Sequence, residues 1–474
     1  MALWSLLAFA ACFPAPRPAG AATTAESSRR PAAVLVPGVT GTALVESPDG
    51  EVRWGTGRRV FFPKDRGRSV ALPIPPDQRS TDPLVPGEVL MELSFFGVRK
   101  PIYRPLVEAL VDAGYTLGDS DRPAPEQDLY LFGYDWRRST TTSARELHAV
   151  LTRIAEARDD RRVDLLCQSN AARICRYLVR YGDRDLEAAR RSADAGAGEV
   201  ASSLSSLSSL SSPASPAFAV EKLLLIGTSN AGSLRQLREL HRGRRYVGGI
   251  GRYFGPEVLF TLRPLFDDLP AESDDLFFDS QGRPVPIDLY DADTWRARGW
   301  SIFAPEVEAR LRDARARRLF GTVEDRMRYL EQRLREARWL HELLGADGGA
   351  AIATAYYLLE NDSLPTPVRA MVDHDDPRSL AFGDHRAVSR SPELLDLAMT
   401  AGDGHATLES QRALAPAERA ALREVVTIRG GHFEAIVQPR TLAAIVRLLG
   451  ESSAPAGDVA DQPAGARPGS PRSR

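Results

Sequence analysis

Short apolar runs alternate with amphipathic stretches along most of the chain. "AAVLVP" (residues 32–37), "DLYLFGYDW" (128–136), "RVDLLC" (162–167), "EKLLLIG" (221–227), "VRAMVD" (368–373) and "REVVTIR" (423–429) are too short and too β-rich for helices. Helical spacing of apolar residues follows several of them, over Ser143–Ala157, Ala171–Tyr181 and Pro439–Leu449. Strands buried on both faces and separated by amphipathic helices predict a mainly parallel sheet with helices on both sides.

The rhythm breaks in four places. Residues 247–350 open with a Phe-, Leu- and Gly-rich stretch and end in a long charged helical run, Pro305–Leu344. They read as a mostly helical cap inserted into a core of residues 31–246 and 351–450. The cap's Phe and Leu content has two readings, the subdomain's own core or an apolar lid over an acyl pocket. Residues 192–218 are a Ser/Ala-rich insertion, and the tail 451–474 is rich in Pro, Gly, Ala and Ser; composition predicts disorder in both. Residues 1–30 form a leader whose apolar stretch Ala2–Ala11 is similar to a signal-peptide core. At about ten residues it is too short to span a bilayer. Small residues before Cys12 are similar to a lipoprotein attachment signal, so the expectation is export, secreted or lipid-anchored at Cys12, with a cytoplasmic chain and an unused leader as the alternative.

Composition narrows the picture further. With 61 basic and 63 acidic side chains, no global field attracts nucleic acid. Cys12, Cys167 and Cys175 are the cysteines. Cys175 lies two helical turns beyond the end of a strand at Cys167, which argues against a disulfide on spacing alone. Composition says nothing of oligomeric state.

Chemistry enters at "LLCQSNAARICRYL" (165–178), where Ser169 stands between a strand and a helix. A nucleophile elbow occupies that place as G-x-S-x-G, yet here the glycine positions hold Cys167 and Ala171. A serine nucleophile needs a base, an acid to orient the base, and donors for the developing oxyanion. The chain supplies them in the order Ser, Asp, His: Ser169, then Asp403 in "AGDGHATLES", then His432 in "IRGGHFEAIV". Backbone N–H groups of Thr40, in the turn "VPGVTGTAL", and of Asn170 are the candidate oxyanion donors. Ser229 in "LLLIGTSNAGSL" fits the glycine pattern better, but it follows the Ser/Ala-rich insertion and precedes Gly232-Ser233, whereas Ser169 opens a periodic helix. His405 is too close to Asp403 to serve as the base in that order. A third arrangement, His374, Asp375 and Asp376 with Asp403, has metal-ligating residue types, although such loops are commonly solvated turns.

On these residues the chain resembles the lecithin:cholesterol acyltransferase and lysosomal phospholipase family, as a divergent bacterial-type member. "VLVPGVTGTAL" corresponds to the family's oxyanion turn and "LYLFGYDWRRS" to its Tyr-Asp-Trp-Arg segment; "LLIGTSNAGSL", "LPTPVRAMVD", "GDGHATLES" and "GGHF" follow in the family's order. The resemblance spans roughly residues 32–449. It implies an α/β-hydrolase fold with Ser169, Asp403 and His432 as catalytic triad and Thr40 and Asn170 as oxyanion donors. It makes Tyr134, Asp135, Trp136 and Arg137 structural near the site, and it places the Ser229 segment outside catalysis. The family's cysteine-closed lid has no counterpart, the elbow departs from its Ser-Met-Gly, and "GTSNAGS" lacks its proline.

Function follows as an expectation: acyl transfer or hydrolysis on ester substrates, lipids foremost, through an acyl-enzyme at Ser169. No metal or organic cofactor is required. The cap is a candidate for peripheral membrane contact. The alternative is a catalytically inactive hydrolase-fold protein that binds lipid or a partner.

Overall fold

The computed structural model describes residues 29–77, 82–95, 97–199, 217–245, 253–271, 275–347, 352–373, 376 and 378–451. The chain divides into Met1–Arg30 and Pro31–Arg474; the signal-like stretch, Cys12 and the tail beyond 451 lie outside the described residues. Every helix and strand of the described residues belongs to the second unit.

The centre of that unit is a six-stranded sheet of β1 (Ala32–Val36), β2 (Leu129–Leu131), β3 (Arg162–Gln168), β4 (Ala219–Ile226), β5 (Ala355–Glu360) and β6 (Leu422–Thr427). The spatial order is β6-β5-β4-β3-β1-β2, and every pairing is parallel. Val34, Leu165, Cys167, Leu223, Leu225 and Leu358 point to one side, and Leu35, Leu166, Leu224, Ile226 and Leu359 to the other. This alternation is why each strand reads as a continuous apolar run. Helices α1 (Arg104–Asp112) and α8 (Pro439–Gly450) cover the second face. On the first face lie α2 (Thr140–Arg158) and α3 (Ala171–Tyr181).

Two expectations about strands are corrected. "VRAMVD" is not in the central sheet: Ala370–Met371 pairs with Phe277–Phe278 in a separate two-stranded ribbon. The fifth central strand is instead "AYYLLE", fully buried between β4 and β6. The expected disorder of 192–218 also changes, because a helix over Leu186–Glu199 runs into its first part; residues 200–216 are outside the described set.

Between β4 and β5 come α4 (Leu234–Arg242), α5 (Pro256–Leu259), α6 (Pro264–Asp267) and the long α7 (Val323–Gly345). The charged run expected as one helix from Pro305 is three, Pro305–Arg310, Ala314–Phe320 and α7. Asp313 and Thr322 cap the second and third through side-chain oxygens. Val258, Phe260, Phe266, Trp295, Trp300 and Phe320 are buried among themselves and against α7. These side chains belong to the same buried cluster as the first face of the central sheet, so the region's apolar content is core. No helix of the described residues is long and apolar enough to cross a membrane.

Candidate active site

Ser169 stands where β3 turns into α3, with φ at +57°. A non-glycine residue holds the left-handed region only where surrounding structure enforces it. Here its N–H is tied to Ile226 O on the neighbouring strand, 3.0 Å away. Cys167 and Ala171, in the glycine positions, are fully buried and fit between strand and helix.

Cys167 and Cys175 form a disulfide, contrary to the expectation from spacing. The elbow reverses the chain. Cys167 sits roughly 7 Å back along the strand from Ser169, and Cys175 sits about five residues down the returning helix, a similar depth at about 1.5 Å per residue. Their Cα atoms are 6.7 Å apart, within bridging range.

His432 reaches the serine from the loop after β6. Its Nε2 is 2.7 Å from Ser169 Oγ, and its Nδ1 is 2.6 Å from Asp403 Oδ2. Asp403 follows the short strand Met399–Gly402, which pairs antiparallel with Leu364–Pro367. Its other oxygen, Oδ1, accepts the N–H groups of His405 (2.8 Å) and Ala406 (2.7 Å). Burial pushes the Asp403 carboxyl up, but the His432 charge and hydrogen bond, with His405 and the Ala406 N–H, hold it below the usual carboxylate range. All three side chains are buried. The structure thus brings Ser169, His432 and Asp403 into one hydrogen-bonded chain.

The turn after β1 packs directly on this elbow. A Cβ on Gly38 would meet Gln168 Oε1 at 2.5 Å and Ser169 Cβ at 3.1 Å, so only glycine leaves room there. Gly38 N–H donates to Tyr103 Oη (2.9 Å) and to Gln168 Oε1 (3.1 Å), and Tyr103 O–H donates to the same Oε1 (2.8 Å). Thr40 takes φ +72°, and Trp54 Nε1 donates to its carbonyl at 2.9 Å. Among the described residues neither Thr40 N–H nor Asn170 N–H has a protein acceptor, so both are available to a bound oxygen. Asn170 is the N-cap of α3, whose helix dipole favours negative charge at that end.

The Tyr134–Arg137 segment clamps the same turn. Tyr134 O–H donates to Pro37 O and Trp136 Nε1 to Thr42 O, each at 2.9 Å. Arg137 is fully buried and bidentate on Asp135 (2.8 Å from both nitrogens) and on Asp82 (3.1 and 2.8 Å). Among the described residues none of the four hydrogen-bonds Ser169 or His432; Tyr134 and Trp136 hold the turn that carries Thr40.

Ser229, the rival nucleophile, lies elsewhere. Its Oγ donates to Asp268 Oδ1 at 2.6 Å and lies 3.2 Å from the Arg173 guanidinium, and among the described residues no imidazole is bonded to it. It lacks the base that a nucleophile needs. His405 in turn bonds Asp268 Oδ2 through Nε2 at 2.8 Å. His374 and Asp375 lie outside the described residues, and among the described residues no cluster of His, Cys, Asp or Glu has metal-ligating geometry. Gln168, Tyr103, Arg173, Asp268 and His405 are not among the site residues the sequence predicts; Gln168, Arg173 and His405 lie within the quoted motifs, whereas Tyr103 and Asp268 carry no motif signal.

A cleft of about 560 Å³ opens at His432. Its apolar walls include Trp54, Val60, Leu90, Leu93, Ile102 and Val437, and Arg235, Arg244 and Arg245 stand at one side. The exposed Phe433 and Leu364 also line it. None of the described residues 253–347 does, so the second of the two readings of the cap, an apolar lid over an acyl pocket, finds no support among them.

A parallel sheet flanked by helices, with its elbow at the strand end, is the α/β-hydrolase fold. The chain is similar to a chain in the crystal structure of the Tle4–Tli4 complex, with a TM-score of 0.53 and 12% identity, covering 88% of this chain and 97% of that one. No family model matches the chain, and no curated protein does.

Proposed function

We propose that this protein is a serine ester hydrolase or O-acyltransferase that works through an acyl-enzyme at Ser169. The observation that carries the reading is the unbroken Ser169–His432–Asp403 hydrogen-bond chain on a positive-φ elbow, open to an apolar cleft. In the first step Ser169 Oγ attacks the ester carbonyl while its proton passes to His432 Nε2. The oxygen that gains charge accepts the N–H groups of Thr40 and Asn170. The ester C–O bond then breaks, and His432 gives its proton to the departing alcohol. In the second step water or another alcohol loses a proton to His432 Nε2 as it attacks the acyl carbon; the bond from that carbon to Ser169 Oγ then breaks, and His432 returns the proton to Oγ.

Apolar cleft walls suit an acyl chain, which supports lipid esters as the substrate class, the class that the lecithin:cholesterol acyltransferase resemblance implies. Export fits the buried disulfide, since such bonds persist in oxidising compartments. Membrane contact is better supported at the rim residues Phe433 and Leu364 than in the cap. The similar chain was solved within a Tle4–Tli4 complex, and a protein partner for this chain is likewise proposed. The competing reading, a non-catalytic binder, was motivated by the missing glycines; the elbow backbone adopts its positive φ without them.

Turnover of p-nitrophenyl butyrate tests the proposal. Wild type is expected to hydrolyse it, and Ser169→Ala to lose on the order of 10⁴-fold or more. A Ser169→Ala protein with wild-type turnover overturns the assignment.

A further inference from the structure

We propose that Asp268 and His405 form a second carboxylate–imidazole pair, placed behind the base, that positions His432 and ties it to the residue after the nucleophile. The inference rests on the function proposed above and assigns new positioning residues to that reaction.

The geometry is a closed circuit of buried groups. The His405 ring lies on the His432 ring, centroids 4.5 Å apart and planes inclined by 32°. His405 Nε2 is 2.8 Å from Asp268 Oδ2, and the His405 backbone N–H donates to Asp403 Oδ1. Asp268 Oδ1 meets Arg173 Nη1 at 2.9 Å, and Arg173 Nη2 donates to Asn170 Oδ1 at 2.8 Å. Arg173 Nη1 also donates to Ser229 O at 2.6 Å, and Ser229 Oγ donates to Asp268. Asp268 follows α6, so one carboxylate from the inserted region is linked to the base through His405 and to an oxyanion donor's residue through Arg173. Asp268, His405, Arg173, Ser229 and Asn170 are all buried. The Ser-Asn-Ala segment that looked like a second elbow serves this circuit instead.

The circuit acts on His432 in two ways. A ring stacked on one face limits rotation about the bond that aims Nε2 at Ser169. The Asp268 carboxylate adds negative charge behind an imidazole that becomes cationic during reaction. Burial and the nearby His432 charge hold His405 below the usual histidine range despite Asp268. Burial opposes ionisation of Asp268, but Arg173 and His405 outweigh it and keep it ionised. Other charged groups around the two rings are Asp403, Arg235 (whose Nη1 donates to Gly404 O) and Glu239, which pairs with Arg235 and Arg244. Arg244 also sits over the Phe433 ring, which meets His432 edge-on.

Asp268→Asn removes the negative charge and leaves Arg173 uncompensated, and both changes disfavour protonated His432. The test is the His432 imidazole titration by ¹⁵N NMR on the full chain, assigned by its loss in His432→Gln, alongside kcat and KM for p-nitrophenyl butyrate. The expected result for Asp268→Asn is a midpoint lower by on the order of one pH unit and a kcat lower by about tenfold, with KM within about twofold. His405→Phe keeps a ring on His432 but cuts the bond to Asp268; kcat is expected to fall several-fold, again with little change in KM. An unchanged midpoint in folded Asp268→Asn overturns the proposal. Should Asp268→Asn not fold, His405→Phe decides, and wild-type kcat in that variant overturns it. A wild-type chain with no ester turnover would remove the functional reading, while the titration still reports on the positioning.

Discussion

Replacing Asp403 by Asn isolates the acid's role because the surrounding bonds dictate how the amide must sit. Asp403 Oδ1 accepts two backbone N–H groups, from His405 and Ala406. An amide NH₂ turned that way would face two donors, so the Asn oxygen stays there and Nδ2 is left facing His432 Nδ1. That nitrogen must then offer its lone pair, which moves the ring proton to Nε2, opposite Ser169 Oγ. In this tautomer His432 cannot accept the serine proton. The expected loss in kcat is about 10⁴-fold, or roughly 5.5 kcal/mol of transition-state stabilisation. Volume and burial hardly change, so the melting temperature should stay close to wild type. Steady-state hydrolysis of p-nitrophenyl butyrate together with thermal denaturation separates the two effects. An Asp403→Asn protein that folds and keeps activity within about tenfold of wild type would refute the tautomer argument and, with it, the role given to Asp403.

Further predictions concern stability. Breaking the Cys167–Cys175 bridge by Cys→Ala replacement at both sites should cost on the order of 2–3 kcal/mol by loop entropy, read from urea midpoints; equal midpoints would argue that the thiols are unpaired. Arg176, wholly buried, donates to both oxygens of buried Glu418 at 2.9 and 2.5 Å. Glu418→Ala strands that guanidinium and should destabilise the fold by about 3–5 kcal/mol, and a loss below about 1 kcal/mol would contradict the pairing. Burial pushes the Asp164 carboxyl up to about 7, against the pull of Lys222. The folded state then holds a proton that the unfolded state has released between pH 3.8 and 7, so this group's contribution is full below that window and fades as pH rises through 7. Asp164→Asn should therefore gain stability relative to wild type at about pH 8 compared with about pH 5, and equal differences at the two pH values in urea titrations would refute it.

Much of the central sheet was legible because β1, β3 and β4 are buried on both faces and carry unbroken aliphatic runs. "AYYLLE" was missed beside Ala-rich "GGAAIATA", since a short apolar run cannot be told from a buried helix by periodicity alone. "VRAMVD" has strand composition, but its partner Phe277–Phe278 comes from the inserted region, and no local pattern encodes that pairing. The disulfide was hidden by counting turns along one direction when the elbow reverses the chain. Ser169, Asp403 and His432 could be picked out because their order and strand-end positions are visible in one dimension. Asp268, Arg173 and His405 meet from separate segments, and buried ion pairs of that kind leave no spacing signal.

Covalent capture of the nucleophile is the most direct test of the account. Wild-type protein treated with a fluorophosphonate and digested should yield a single modified peptide with the adduct on Ser169, and Ser169→Ala should yield none. An adduct on Ser229, or no adduct on folded wild-type protein, would contradict the central claim.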